Sequence, residues 1–274
     1  MNIWFILLIL LGLAIIISSL GYKKYVWFIS IGYGFSIVGI GIAIIVIYLV
    51  KGTLNITSLI ACILFIIYGF RLGGFLLIRE LKNANYRKTL NEVAKDGKTV
   101  PFGVKIAIHL TVALLYVAET SGVTFSLYVS AYSSFFGFKW TEIIGLCIMA
   151  FGIFLESFAD HQKTKFKKEE PNMPAMRGIY KLCRCPNYYG EMLFWTGTVT
   201  LSVLSLNTWW MWVIVITGYL CILYVMLNSS KRLEKRQNKN YGDLVEFQEY
   251  KKKTPLIILV FIPIKSLENS KIIM

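Results

Sequence analysis

The chain is 274 residues long, 56% hydrophobic and 16% charged, with a mean hydropathy of +0.62, whereas soluble domains carry about 25% charged residues. A water-soluble globular domain is excluded, and the composition is that of an integral membrane protein. The formal net charge of +14, from 29 Lys and Arg against 15 Asp and Glu, does not point to nucleic acid. The cations cluster between apolar runs, which is the positive-inside pattern of a polytopic protein.

Apolar runs long enough to cross roughly 30 Å of hydrocarbon lie near residues 3–20, 26–50, 55–78, 106–134 and 140–159, and a paired run at about 189–206 and 208–227 reads as a hairpin. The prediction is an all-α, polytopic membrane helix bundle of about seven transmembrane helices. It forms a single membrane domain over residues 1–274, without an inverted repeat or a Gly/Ser-rich linker. The first run reads as a helix rather than a secretory signal, because no basic segment precedes it and no small-residue cleavage pattern follows Ser18-Ser19-Leu20-Gly21. Seven Lys/Arg lie between Arg79 and Lys105, seven between Lys163 and Arg184, and eight between Lys231 and Lys253, and Lys23 and Lys24 fall on the same side. The opposite loops near Lys51, Lys139 and Asn207 carry at most one charge each. The N-terminus is therefore expected outside and the C-terminus in the cytoplasm of a cell membrane or endomembrane.

The first two helices contain no Asp or Glu, and none occurs before Glu80, so they read as facing lipid or closing an apolar cavity. Late in the third run, Tyr68 and Arg71 occur in Tyr68-Gly69-Phe70-Arg71-Leu72-Gly73-Gly74. An Arg inside a membrane helix needs a carboxylate, phosphate or carbonyl partner unless it snorkels to the interface. Glu119, flanked by Thr120 and Ser121, lies mid-membrane in the fourth run, where an acid is either functional or held in an interhelical hydrogen bond.

From the end of the fifth run the character changes. Glu156 and Asp160 share one helix face at i, i+4, and Lys163, Lys165, Lys167 and Lys168 follow them. Carboxylates there suit amide or ribose groups and the lysines suit phosphates, although a headgroup-solvated pair is the simpler alternative. The densest stretch runs from Arg177 through Tyr180, Arg184 and Pro186 to Asn187, Tyr188, Tyr189 and Glu191, straight into the apolar segment at Met192. Pro186 is tolerated in a first helical turn, and Asn187 and Glu191 again stand at i, i+4. Simple N-terminal capping does not account for Arg177, Tyr180 and Arg184 just upstream. The last basic segment, from Lys231, Arg232 and Glu234 to Tyr241, Phe247 and Tyr250, reads either as a solvated amphipathic helix or as cations and aromatics around a dinucleotide.

Cys183-Arg184-Cys185 is too tight for a zinc pair and has no second pair to complete four ligands, so no metal is expected. There is no GxGxxG or Walker loop, so a nucleotide would be held between helices and loops rather than on a Rossmann unit.

Arg177-Gly178-Ile179-Tyr180, Arg184-Cys185-Pro186-Asn187-Tyr188-Tyr189-Gly190-Glu191, Trp195, and the later Glu234-Lys235-Arg236, Tyr241-Gly242, Phe247, Tyr250 and Thr254-Pro255 resemble the C-terminal region of the steroid 5α-reductase superfamily. The likeness extends to bacterial integral-membrane relatives and covers roughly residues 60 to 260. It implies NADPH held between helices and cytoplasmic loops, and a hydrophobic enone lipid, sterol-like or polyprenoid substrate arriving from the bilayer. Carried over by position, Asp160, Asn187 and Glu191 match cofactor-binding positions, Trp195 lines the pocket, Lys167 stands near the phosphates, and Tyr68 bonds the substrate carbonyl. The glutamate that pairs with this tyrosine in the steroid enzymes has no counterpart before Glu80, which leaves Tyr68 alone or Glu119 to activate the carbonyl. Cys185 stands where most relatives have histidine. The pattern is also similar to isoprenylcysteine carboxyl methyltransferases, which implies S-adenosylmethionine as the alternative cofactor, and a non-catalytic membrane protein keeping the fold is the third reading. Together these considerations nominate Tyr68 and Glu119 as catalytic. They nominate Arg71, Glu156, Asp160, Lys167, Arg177, Tyr180, Arg184, Asn187, Tyr188, Glu191, Trp195, Arg232, Glu234 and Tyr241 for the cofactor.

Overall fold

Asn2 opens the first helix by accepting a hydrogen bond from the Trp4 amide at 3.2 Å, and Asn55 does the same for the third, taking the Ser58 amide at 2.8 Å. Such short polar side chains satisfy amides that a helix start leaves without partners. The computed structural model describes residues 2–82, 84, 87–88, 90–91, 100–132, 140–259 and 262–264. Among these residues the long helices are α1 (Ile3–Ser18), α2 (Ile31–Val50), α3 (Ile56–Lys82), α4 (Phe102–Tyr132), α5 (Trp140–Glu169), α6 (Pro186–Ser202) and α7 (Trp209–Tyr241). A short α8 (Val245–Lys253) follows, then two antiparallel strands, β1 (Ile257–Leu259) and β2 (Ile262–Ile264).

The architecture is the expected polytopic helical membrane bundle. Among the described residues six helical stretches are long and apolar enough to span a bilayer, and the 17-residue α6 falls below that length. The runs are placed as the sequence predicts, but their ends differ. The second begins with a 3-10 turn, Tyr25–Ile29, and α2 starts only after the kinked backbone of Ser30. At their C-terminal ends α5 and α7 run on to Glu169 and Tyr241, because Lys, Arg, Glu and Gln are good helix formers and a helix need not stop where the hydrocarbon does. The expectation for Lys139 falls outside the described residues, as do those for Lys95 and Lys98 and for part of the C-terminal apolar run.

The Cα packing divides the chain into two compact units. The first comprises residues 1–146 and 197–219. Its α2 and α3 touch backbone to backbone: a Cβ on Gly69 would come within 2.3 Å of the Gly34 carbonyl oxygen, and one on Gly34 within 2.6 Å of the Gly73 amide nitrogen. Small residues make such close approach possible in membrane bundles. At one end of this unit Glu80, buried at the foot of α3, accepts hydrogen bonds from Lys24 and from Trp27 Nε1. At another, the buried Glu142 accepts hydrogen bonds from Thr57 and Ser126, and the Ser126 hydroxyl lies 3.0 Å from that of Ser205.

The second unit comprises residues 147–196 and 220–274. Here α5 and α6 cross at Gly152 and Gly190, where a Cβ on Gly190 would meet the Glu156 amide nitrogen at 2.7 Å. The loop that follows α5 folds back on it. Gly178, at φ 61°, opens a 3-10 turn over Gly178–Lys181, and the Ile179 amide donates to Gln162 Oε1 at 3.0 Å. A positive φ is inexpensive only for glycine.

Candidate functional site

In the second unit the folded-back loop brings Tyr180 and Arg184 opposite the far end of α7. Tyr180 is buried and donates its hydroxyl to the Ala159 carbonyl at 3.2 Å, which fixes it against α5. Arg184 is 2% exposed, and its Nη2 pairs with Glu234 Oε1 at 2.8 Å. Its Nε and Nη1 are buried and find no hydrogen-bond partner among the described residues. Lys167 donates to the Tyr241 hydroxyl at 2.7 Å and lies over the face of that ring.

These groups enclose a cleft of about 80 Å³ lined by Lys163, Lys167, Tyr180, Arg184, Asn187 and, from α7, Leu233, Arg236, Gln237, Asn240 and Tyr241, with Pro174 and Ala175 closing it. Its volume suits one phosphate-sized group. Among the described residues four cations face it and no carboxylate lines it. A guanidinium with two buried, unmatched donors is unfavourable by about 1–3 kcal/mol per group, and an anionic oxygen ligand relieves that cost directly. The donor set therefore fits a phosphate.

Of the residues nominated from sequence, Lys167, Tyr180, Arg184, Asn187 and Tyr241 line this cleft. Glu234 backs it through Arg184. Glu156, Glu191 and Trp195 are buried in the same unit, and Asp160 and Tyr188 are half-buried, but none of these five lies on the cleft wall. Arg177 is exposed, pairs with Glu170 at 3.1 Å and packs over the Phe166 ring. Arg232 is exposed and donates to Ser229. Arg236, Gln237 and Asn240 were not nominated. Their signal was the 3- and 4-residue spacing of Leu233, Arg236, Gln237, Asn240 and Tyr241, which forms one face once α7 is known to continue that far.

The two nominated catalytic residues and Arg71 belong to the first unit. Tyr68 is fully buried and donates its hydroxyl to that of Tyr33 on α2 at 3.2 Å. Tyr33 in turn stacks on Tyr116, with ring centroids 4.9 Å apart, and Tyr116 donates to the Phe28 carbonyl. Glu119 is 5% exposed, one turn from Tyr116, where α7 packs closely enough that a Cβ on Gly218 would lie 2.8 Å from its amide nitrogen. Arg71 is half-buried. Tyr33 escaped the sequence reading because a single tyrosine in an apolar run has no spacing partner to mark it.

Burial also sets the chemistry of the two thiols beside Arg184. It pushes Cys183 up to about 11 and Cys185 up to about 12, from an ordinary 9.0. Both remain protonated at neutral pH and are poor nucleophiles. Since the folded values are raised, the stability linked to the neutral thiols is complete below pH 9 and is lost as the pH climbs toward 12. Melting curves of the detergent-purified protein are expected to fall over that window, and a Cys183→Ala, Cys185→Ala variant is expected to fall less steeply. An identical decline would remove these thiols as its cause.

Comparison with known proteins adds lineage to this geometry. The chain is 26% identical over 127 residues to the steroid 5-alpha-reductase DET2 of Arabidopsis thaliana, covering 46% of this chain and 43% of that one. It is 30% identical over 97 residues to the steroid 5-alpha-reductase DET2 of Gossypium hirsutum, covering 35% and 33%. The matched part thus spans less than half the length of these relatives. No solved structure matches the chain. A family model described as protein of unknown function, DUF1295, matches residues 7–254, and the chain belongs to that family, within the steroid 5α-reductase-like superfamily.

Proposed function

We propose that the protein is a membrane-embedded, NADPH-dependent reductase of a carbon–carbon double bond conjugated to a carbonyl in a lipid, sterol-like or polyprenoid substrate. The observation that carries the choice of cofactor is the cleft in the second unit, with four facing cations, no lining carboxylate and two unmatched donors on Arg184. NADPH brings several phosphate charges. S-adenosylmethionine brings a sulfonium and an ammonium against one carboxylate, and such a wall repels it. Lys163, Lys167, Arg184 and Arg236 would hold one phosphate, with Asn187 and Tyr241 hydrogen-bonding beside them.

When bound, NADPH supplies a hydride to the β-carbon of the enone. Tyr68 would turn its hydroxyl proton from Tyr33 to the carbonyl oxygen, on which negative charge grows during the reduction. Tyr33 hydrogen-bonds the Tyr68 hydroxyl. The α-carbon would then take a proton from water, completing addition of two hydrogens across the double bond. The clustering of the basic segments supports a cytoplasmic face for this chemistry, on the positive-inside argument.

The test is thermal stabilisation of the detergent-purified protein by NADPH, NADH and S-adenosylmethionine measured in parallel. Ligand at about 100 times its dissociation constant adds roughly 2.7 kcal/mol. Stabilisation by NADPH and none by S-adenosylmethionine is expected, and the reverse would move the protein to the methyltransferases. With NADPH oxidation followed against a panel of enone lipids, Tyr68→Phe is expected to lower kcat by about 10²-fold or more while leaving the NADPH affinity unchanged. Unaltered turnover would remove Tyr68 from the chemistry.

A further inference from the structure

The loop that delivers Tyr180 and Arg184 opens with the Gly178–Lys181 turn, which fixes its first half, whereas Arg184 and Cys185 lie beyond that turn. The backbone at Tyr180, Arg184 and Cys185 is held by the chain from α8 onward. The Arg184 amide donates to the Pro255 carbonyl at 2.9 Å and the Cys185 amide to the Leu256 carbonyl at 3.1 Å. The Tyr250 hydroxyl donates to the Tyr180 carbonyl at 2.6 Å. Leu256 and Ile257 are buried at 1% and 0% exposure and anchor this extended stretch. Phe247, also fully buried, meets the ring of Tyr241 edge-on with centroids 6.2 Å apart. Two residues of the cleft wall, Arg184 and Tyr241, are therefore braced by a segment that does not itself line the cleft.

We propose that residues 247–256 form a positioning strap for the phosphate cleft, in which Tyr250, Pro255 and Leu256 hold the Tyr180–Cys185 loop in the shape that presents Arg184 Nε and Nη1 to an anionic oxygen. The proposal rests on the reading of the cleft as a phosphate seat for NADPH. The physical reason is preorganisation. A guanidinium delivered by a loose loop spends part of its binding energy on ordering that loop, whereas one fixed in advance does not. Tyr250 keeps the proton it donates to the Tyr180 carbonyl, because burial pushes its phenol up.

The experiment measures NADPH binding to the full-length protein in detergent, over a series of salt concentrations, for the wild type, Tyr250→Phe and Pro255→Gly. Tyr250→Phe removes one hydroxyl, and Pro255→Gly keeps the carbonyl but frees the strap's backbone. Both variants are expected to raise the dissociation constant about 3- to 10-fold, the equivalent of one neutral hydrogen bond. Both are also expected to make binding less steeply salt-dependent, since a charge-assisted contact is what weakens. A strap that merely adds stability would lower the melting temperature without ligand and leave the salt dependence as in the wild type, and that result would overturn the inference. If Tyr250→Phe does not fold, Pro255→Gly carries the same comparison. No response of the wild type to NADPH would overturn the cofactor reading and the strap with it. Wild-type binding with unchanged variants would overturn the strap alone.

Discussion

Replacing Arg184 with methionine is expected to cost about 3–5 kcal/mol of stability, because it leaves the Glu234 carboxylate buried without its partner, and to abolish stabilisation by NADPH. Glu234 is 6% exposed, and its carboxylate is held by Arg184 Nη2 at 2.8 Å. Glu234→Leu alone is expected to be equally harmful, since it strands a guanidinium in the same place. The combined Arg184→Met, Glu234→Leu variant separates the two roles of the arginine. Replacing a buried ion pair by apolar groups of similar size is close to neutral for stability, so this variant is expected to melt near the wild type while remaining unresponsive to NADPH. Full NADPH stabilisation of the double variant would show that the phosphate lies elsewhere, and the cleft reading would fall. Melting with and without ligand on the four proteins is enough to decide it.

The second large effect is expected at the α2–α3 contact. A Cβ at residue 69 would stand 2.3 Å from the Gly34 carbonyl oxygen and 2.7 Å from Val38 Cγ2. The oxygen is backbone, so relief requires the helices to separate. Gly69→Leu is expected to destabilise by about 3 kcal/mol or more, at the upper end of overpacking effects, and to lower the yield of monodisperse protein. Gly74 lies on the same helix with nothing within 4 Å of its Cβ position, so Gly74→Ala is the matched control and is expected to be neutral or slightly stabilising. Equal behaviour of the two variants would refute the close packing. The same contact sets the distance between Tyr33 and Tyr68, one on each helix, so catalytic loss is expected at Gly69 even where a smaller substitution is tolerated.

The membrane spans were legible because hydropathy averaged over some twenty residues is a strong signal, and the glycines and prolines that end the runs are local. Where the helices end was not legible. The charged tail of α5 from Asp160 to Glu169 and that of α7 from Ser229 to Tyr241 have no apolar periodicity, so helix propensity permits them to stay helical without marking where they stop. This also explains the uneven reading of the cleft. Tyr180, Arg184 and Asn187 stand in one dense stretch and announce themselves, whereas Arg236, Gln237 and Asn240 reach the same cleft from a helix whose continuation the sequence leaves open. Arg177 and Arg232 look equivalent to Arg184 in sequence, yet both are exposed while Arg184 is buried. The difference lies in what surrounds each side chain, and composition carries no record of that. Tyr33 was invisible for a related reason: its role is defined by Tyr68, which lies 35 positions away.

The pairing of Arg184 and Cys185 with Pro255 and Leu256 has a consequence for biogenesis. A ribosome adding about 5 to 20 residues each second makes Arg184 several seconds before the carbonyls that will receive its backbone. During that interval the spans upstream can already be inserted in the bilayer while the loop between α5 and α6 waits unpinned. The cleft is thus among the last parts of the protein to mature, and nascent chains that have not yet reached Leu256 would be membrane-integrated but without the pinned Arg184 loop.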